Sequence, residues 1–242
     1  MPGTLSALHG SGLGGPVVDT LSTIHHNRAM TSYVRPEIAP QEYRDVSGTV
    51  IPYGERWGLA GPPEDSYSCI THPERFAPLH EVARALVAHL TLTFDIEIER
   101  GASLADELGR RQIPIIDAYT LRPRAVDAAP LDIALTGYPG VVLAAGVLWE
   151  SSYPVCGCDA CDETWERAAD ELESHVLAVA DGRFRESVAT QGRADGRATY
   201  GYRFAGSMSG TGGLTHVSDA KREAAIERLA TLSAGWLSWP RR

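Results

Sequence analysis

The chain has little of several things that particular functions require, and lysine is the scarcest of them. Lys221 is the only lysine among 242 residues, and arginine supplies every other basic side chain. A Schiff-base mechanism or a phosphate-binding lysine would therefore depend on Lys221. That residue lies in a charged run on the predicted exposed face of a helix, so the composition disfavours lysine-dependent chemistry.

Positively charged residues and long apolar runs are also scarce. The formal net charge is −9 at pH 7, whereas nucleic acids and anionic membrane surfaces are bound by clustered lysine and arginine. The longest apolar run, residues 141–149, is shorter than the ~18–20 residues that span a bilayer, and no secretory signal is visible. We therefore expect a cytoplasmic protein with no nucleic-acid or membrane partner. In that compartment cysteines stay reduced unless they bind metal or act in catalysis, and a protein partner is left open.

A complete catalytic motif is missing as well. No serine lies in a nucleophile-elbow context, and the glycine-rich segment 206–213 lacks the lysine and the spacing of a phosphate-binding loop. We interpret that segment as a flexible loop. His80 and His89 flank the apolar stripe of a predicted helix, where histidines usually border the core. We assign no catalytic or cofactor-binding residue, and the sequence leaves open whether the protein is an enzyme.

The first 70 residues contain little periodic hydrophobic pattern. Glycines interrupt the beginning, so residues 1–30 are predicted to be a disordered N-terminal extension, with Met30 a candidate start. Residues 31–70, called the arm below, are rich in proline and glycine. Because long loops without secondary structure are uncommon in compact domains, we expect the arm to pack over the core or to serve a function. Its candidate anchors are the aromatic side chains of Tyr43, Tyr53, Trp57 and Tyr67.

Hydrophobic periodicity predicts four helices and six strands after the arm. The helices are expected over residues 78–94, 103–111, 162–180 and 218–234. The strands are expected over residues 95–99, 115–122, 131–136, 141–148, 183–190 and 198–205. Short connections favour antiparallel pairing. The fold class is therefore α+β: a mostly antiparallel sheet of about five to six strands, with three to four helices packed mainly on one face. It forms a single domain over residues 31–242.

The most informative feature is a cysteine block, residues 156–163, with the sequence Cys-Gly-Cys-Asp-Ala-Cys-Asp-Glu. It holds three of the four cysteines and leads into the third predicted helix. Zinc binds thiolates tetrahedrally at ~2.3 Å, which separates the sulfurs by roughly 3.8 Å. A Cys-x-Cys-x-x-Cys turn can supply three such ligands. The first hypothesis is therefore a structural zinc ion bound by Cys156, Cys158 and Cys161, tying the central hairpin to the following helix.

The spacing does not specify a fourth zinc ligand. His175 is the nearest histidine, but it lies fourteen residues beyond Cys161 on one predicted helix. That is a distance of ~21 Å at 1.5 Å per residue, which excludes it. An iron–sulfur cluster would require Cys69 as its fourth thiolate. The open candidates for zinc are Asp159, Asp162, Glu163, Cys69, His72 and His216.

Two further hypotheses remain open for the same block. Cys158 and Cys161 form a Cys-x-x-Cys at a helix N-terminus, where a thiol pKa is usually lowered, so a thiol–disulfide redox protein is the alternative. The neighbouring carboxylates oppose thiolate formation, because negative charge raises a thiol pKa. In the third hypothesis the cysteines are inert and buried. The protein would then be a non-enzymatic interaction module that uses its acidic surface and the arm around Trp57.

Four segments resemble the signature of an uncharacterised actinobacterial family, the domain of unknown function numbered 6226. They are residues 56–58, 61–65, 73–80 and 154–163. The resemblance covers about residues 52–202, and the cysteine block is its most specific part. It implies no activity, because the family is one of unknown function. It also implies that cysteine is not required at position 69, which weakens Cys69 as a ligand. The residues before Met30 lie outside the family pattern.

Overall fold

A computed structural model describes residues 32–101, 113–189, 198–205, 208–214 and 217–242, all within one unit, Thr31–Arg242. The helices in these ranges are α1 (Pro78–Thr93), α2 (Trp165–Ala180) and α3 (Asp219–Ala230). The strands are β1 (Ile96–Arg100), β2 (Ile115–Pro123), β3 (Leu131–Thr136), β4 (Val141–Ala145), β5 (Trp149–Tyr153), β6 (Phe184–Ala189), β7 (Thr199–Phe204) and β8 (Ser209–Gly213). The predicted helix over residues 103–111 and the predicted extension over residues 1–30 lie outside the described residues.

Alternating apolar residues build the larger sheet. Strands β1 to β5 lie side by side in chain order, and every neighbouring pair is antiparallel. On β3, Leu131, Ile133 and Leu135 are fully buried and belong to the main core. Because successive side chains of a strand point to opposite faces, these three share one face of the sheet. The antiparallel sheet of five strands confirms the predicted α+β class.

Helices α1 and α2 cover the core face of this sheet. They contact each other, and α1 packs against β3 and β4 while α2 packs against β5. The apolar stripe of α1 includes Leu79, Leu86 and Leu90, all fully buried. Burial of each such side chain contributes roughly 1.5–3 kcal/mol. No helix in the described ranges has the length and apolar character needed to cross a membrane.

The predicted single strand over residues 141–148 is two strands. β4 ends at Ala145, Gly146 adopts a positive φ of +65°, and β5 begins at Trp149. Glycine enters this left-handed region at little cost, so the apolar run can reverse there. The carboxylate of Glu186 stabilises the turn and accepts backbone hydrogen bonds at 3.0–3.1 Å from Val147, Leu148 and Trp149.

A second sheet contains β6, β7 and β8 in that order, all antiparallel. The interpretation of residues 206–213 as a flexible loop is wrong for Ser209–Gly213, which is β8 and pairs with β7. Glycine is depleted in strands, so the glycine-rich composition of this segment did not predict a strand. The strand forms because its backbone is hydrogen bonded to β7.

Two helix boundaries also differ from their predictions. α2 begins at Trp165 rather than at residue 162, because Asp162 has a left-handed φ of +49° and Thr164 caps the first turn. α3 ends at Ala230 rather than at residue 234. Ser218 caps the start of this helix, since its hydroxyl accepts a hydrogen bond from the backbone N–H of Lys221 at 3.3 Å.

Candidate metal centre

Three cysteine side chains converge in the loop between β5 and α2. A single turn of 3-10 helix, Asp159–Cys161, lies within this loop. The sulfur of Cys158 is 3.3 Å from that of Cys156 and 3.5 Å from that of Cys161, and all three sulfurs lie within 4.8 Å of one another. Two thiolates on one zinc ion are separated by roughly 3.8 Å. The three cysteines could therefore hold a metal ion with little rearrangement.

Cys158 has the environment that most favours a thiolate. The backbone N–H of Cys161 donates to its sulfur and, with a further hydrogen bond from Cys156, lowers the pKa of Cys158. Hydrogen bonds with Cys156 and Cys158 raise the pKa of Cys161 to about 12. The first negative charge thus opposes the second. A divalent cation would remove this conflict, because it takes the place of the thiol protons.

Two carboxylates beside the cysteines, those of Asp159 and Asp162, have partners outside the cluster, and hydrogen bonds lower the pKa of Cys158 despite the neighbouring negative charge. Asp159 is only 2% exposed. Its Oδ1 accepts two hydrogen bonds from Thr71, one from the backbone N–H at 3.3 Å and one from the side-chain hydroxyl at 3.1 Å. The guanidinium of Arg56 lies 3.5 Å from the same oxygen. Oδ2 of Asp162 accepts the backbone N–H of Arg56 at 2.8 Å. Both carboxylates therefore have hydrogen-bond partners outside the three-cysteine cluster.

No fourth ligand joins the cysteines among the described residues, where they alone form a group close enough to share an ion. The thiol of Cys69 hydrogen bonds to Asp159, which raises the pKa of Cys69. The ring of His72 lies between the carboxylate of Glu74, at 2.7 Å, and the backbone carbonyl of Arg44, at 3.0 Å. His216 lies outside the described residues.

The exclusion of His175 agrees with the structure. Helix α2 is continuous from Trp165 to Ala180, and His175 is a buried residue of that helix. Its Nδ1 lies 2.5 Å from the hydroxyl oxygen of Tyr153. Burial lowers the pKa of His175 to about 4, so the ring is neutral at pH 7.

Residues 56–75, called the docked segment below, form hydrogen bonds with the cysteine loop. The indole N–H of Trp57 donates to the backbone carbonyl of Asp159 at 3.1 Å. The backbone N–H of Asp159 donates to the carbonyl of Cys69 at 2.8 Å. Together with the contacts of Arg56 and Thr71, these bonds fix the turn that carries Cys158 and Cys161.

Arg75, at the end of the docked segment, is the site residue that sequence reasoning missed. It is 2% exposed, and its guanidinium lies 4.2 Å from the ring centre of Tyr53 and 4.3 Å from that of Phe76. A charge so deeply buried requires hydrogen bonds. It donates to three backbone carbonyls, those of His72 (3.1 Å), Gly157 (3.0 Å) and Glu163 (3.4 Å). The available signal was an arginine directly before Phe76, within one of the four segments that resemble the family signature.

Close packing favours glycine between the first two cysteines. A Cβ atom on Gly157 would lie 1.8 Å from the hydroxyl oxygen of Tyr138. The loop can therefore approach the tyrosine ring only without a side chain at this position.

Other histidine and glutamate residues have ordinary structural roles. His80 is buried, and its Nε2 lies 3.0 Å from the carbonyl oxygen of Gly140, which confirms a satisfied position beside the core. Glu97 and Glu99 on β1 are exposed.

The family model that matches the chain covers residues 39–242 and describes a family of unknown function (DUF6226). The chain therefore belongs to this family, as its motifs implied; the actinobacterial source stays a prediction. The match is wider than the predicted range of 52–202, and it includes both the cysteine loop and the docked segment. Comparisons with curated proteins and with solved structures gave no match.

Proposed function

We propose that this protein binds one zinc ion through Cys156, Cys158 and Cys161 and that the ion is structural. The observation that carries the proposal is the convergence of three sulfurs within 4.8 Å. Thiolates select soft and borderline metals, and zinc accepts them in a tetrahedron of this size. We place the protein in the cytoplasm, where reducing conditions keep thiols available for a metal.

The ion would join β5 to α2. Cys156 lies shortly after the end of β5, and Cys161 lies shortly before the start of α2. The loop buries few apolar side chains of its own, among them Cys158 and Ala160. Because the unfolded chain holds no preformed site, the free energy of metal binding would add to the free energy of folding.

Metal quantitation on the purified protein tests this proposal. We expect close to one equivalent of zinc, with the three clustered thiols protected from alkylation and Cys69 reactive. Cys158→Ser should lose the zinc, whereas the matched variant Cys69→Ser should keep it. Less than roughly 0.2 equivalents of zinc, with all thiols titrating freely, would contradict zinc binding and favour inert cysteines.

A thiol–disulfide redox protein is a second candidate, favoured by the lowered pKa of Cys158 and by the 3.5 Å between its sulfur and that of Cys161. The Cys158 thiolate would attack a disulfide in a substrate protein and expel one substrate thiolate. The Cys161 thiolate would then attack the sulfur of Cys158 in the mixed disulfide and expel the second. The substrate is reduced to two thiols, and Cys158–Cys161 is oxidised to a disulfide. Full reductase activity in Cys161→Ser would exclude this reaction.

Exposed apolar side chains on the arm favour a third candidate, a module that binds another protein. Val46 and Leu59 are fully exposed, and Val50 is 41% exposed. Pull-down with and without residues 31–70 would separate this role from the other two, since only the interaction module requires the arm for partner binding.

A further inference from the structure

We propose that metal binding at the cysteine cluster controls the docking of residues 56–75, and that docking in turn strengthens metal binding. This coupling, which rests on the proposed function, concerns the regulation of the same site. It would make the order of the docked segment a reporter of metal occupancy.

The loop has ligand residues and docking residues in alternation. Gly157 lies between the first two cysteines, and Asp159 lies between the second and the third. The carbonyl of Gly157 accepts a hydrogen bond from Arg75, and Asp159 is bonded to Trp57 and Thr71. The sulfurs of the three cysteines contact one another, while the residues between the cysteines form hydrogen bonds with the docked segment. One loop conformation therefore serves both sets of contacts.

Apart from its contacts with the docked segment, that conformation has little support without an ion. Asp162 is held at a φ of +49°, in the left-handed region that costs a residue with a side chain roughly 1–2 kcal/mol. The sulfurs themselves contribute only weak S–H hydrogen bonds. A cation bonded to three thiolates would hold the same loop shape by much stronger bonds. The docked segment can form its hydrogen bonds with the cysteine loop only when the loop has that conformation.

Coupling of this kind is reciprocal. If the ion stabilises the docked state, the docked segment must raise the affinity for the ion by the same factor. Arg56, Trp57, Thr71 and His72 also line a cavity of about 630 Å³, together with residues 44–46 and 50–52. Metal occupancy would therefore determine whether one wall of this cavity is in place.

Hydrogen exchange on the full-length protein tests the first half of the proposal. Zinc would be removed by a chelator under reducing conditions, and exchange would be followed by mass spectrometry. We expect the amides of Arg56 and Thr71, both bonded to loop carboxylates, to exchange at least about ten-fold faster without zinc. Peptides from β3, in the middle of the larger sheet, serve as the internal control and should not change.

Zinc affinity tests the second half without removing any ligand. Trp57→Phe keeps an aromatic ring but deletes the N–H that binds the carbonyl of Asp159. Trp239→Phe is the matched control, because its indole N–H binds the carbonyl of Ala129 at 2.8 Å, outside the loop and the docked segment. We expect Trp57→Phe to weaken zinc binding by about 2- to 5-fold, the worth of one hydrogen bond, and Trp239→Phe to leave the affinity unchanged.

The outcomes separate this proposal from the proposed function. Zinc bound by the wild type, with unchanged exchange at Arg56 and Thr71 after its removal, would overturn the coupling and leave zinc binding intact. Absence of zinc from the wild type would overturn both. If zinc removal also raises exchange in β3, hydrogen exchange no longer tests the coupling specifically, and the zinc affinities provide the test instead. Equal zinc affinity in Trp57→Phe and wild type would then overturn the coupling.

Discussion

Replacing Arg75 by methionine should be one of the most destabilising single changes in the docked segment. The arginine is 2% exposed and donates two hydrogen bonds of 3.0–3.1 Å and one of 3.4 Å to backbone carbonyls. Methionine is similar in length and apolar, but it has no donor, so the carbonyls of Gly157 and Glu163 lose the guanidinium, and that of His72 keeps only the backbone N–H of residue 75.

The expected loss in the free energy of unfolding follows from these bonds. A hydrogen bond from a charged donor contributes roughly 1.5–3 kcal/mol, and the longest of the three contributes less. Methionine recovers part of the loss through its own burial. We therefore expect Arg75→Met to cost about 3–5 kcal/mol, a large share of a typical stability of roughly 5–15 kcal/mol.

Urea denaturation at constant free zinc measures this loss. Arg124→Met is the matched control, because Arg124 is 61% exposed and its ion pairs with Asp95 and Glu97 lie on the surface. The control should change stability by no more than about 1 kcal/mol. A loss below about 1 kcal/mol for Arg75→Met, with an unchanged urea m-value, would refute the structural role given to Arg75.

Three more changes test other parts of the fold. Glu186→Gln should cost about 2–4 kcal/mol in urea denaturation, since its carboxylate accepts hydrogen bonds from three backbone amides, Tyr200 and Trp236; an unchanged midpoint would contradict this. Burial lowers the pKa of His175 to about 4. The neutral ring therefore makes its full contribution to the free energy of unfolding above pH 6.5. About 3 kcal/mol should be lost as pH falls from 6.5 towards 4; His175→Asn should show a smaller loss, and an equal loss would refute this assignment. Gly157→Ala should cost about 1–3 kcal/mol through its clash with the Tyr138 hydroxyl. Tyr138→Phe should restore part of that stability, and failure to do so would place the cost elsewhere.

The hydrophobic pattern of the sequence predicted those elements whose structure depends on residues close together in the chain. β3 has the predicted bounds because Leu131, Ile133 and Leu135 alternate with less apolar residues and face the core. The division between β4 and β5 was missed because it depends on the conformation of one glycine, Gly146, inside a continuous apolar run. β8 was missed because its stability comes from pairing with β7 rather than from its composition.

The candidate site was predictable in part for the same reason. Cys156, Cys158 and Cys161 are close in sequence, so a tight turn was enough to predict that their sulfurs meet. The partners of the intervening carboxylates were not predictable, since Thr71 is 88 residues from Asp159 and Arg56 is 106 residues from Asp162. Only the tertiary fold brings these residues together.

X-ray absorption at the zinc edge, on the purified full-length protein, measures the central claim most directly. We predict a first coordination shell with three sulfur atoms at ~2.3 Å, reduced in Cys158→Ser and unchanged in Cys69→Ser. A shell made only of nitrogen and oxygen at ~2.0–2.2 Å, or no bound zinc, would contradict a metal centre built from these three cysteines.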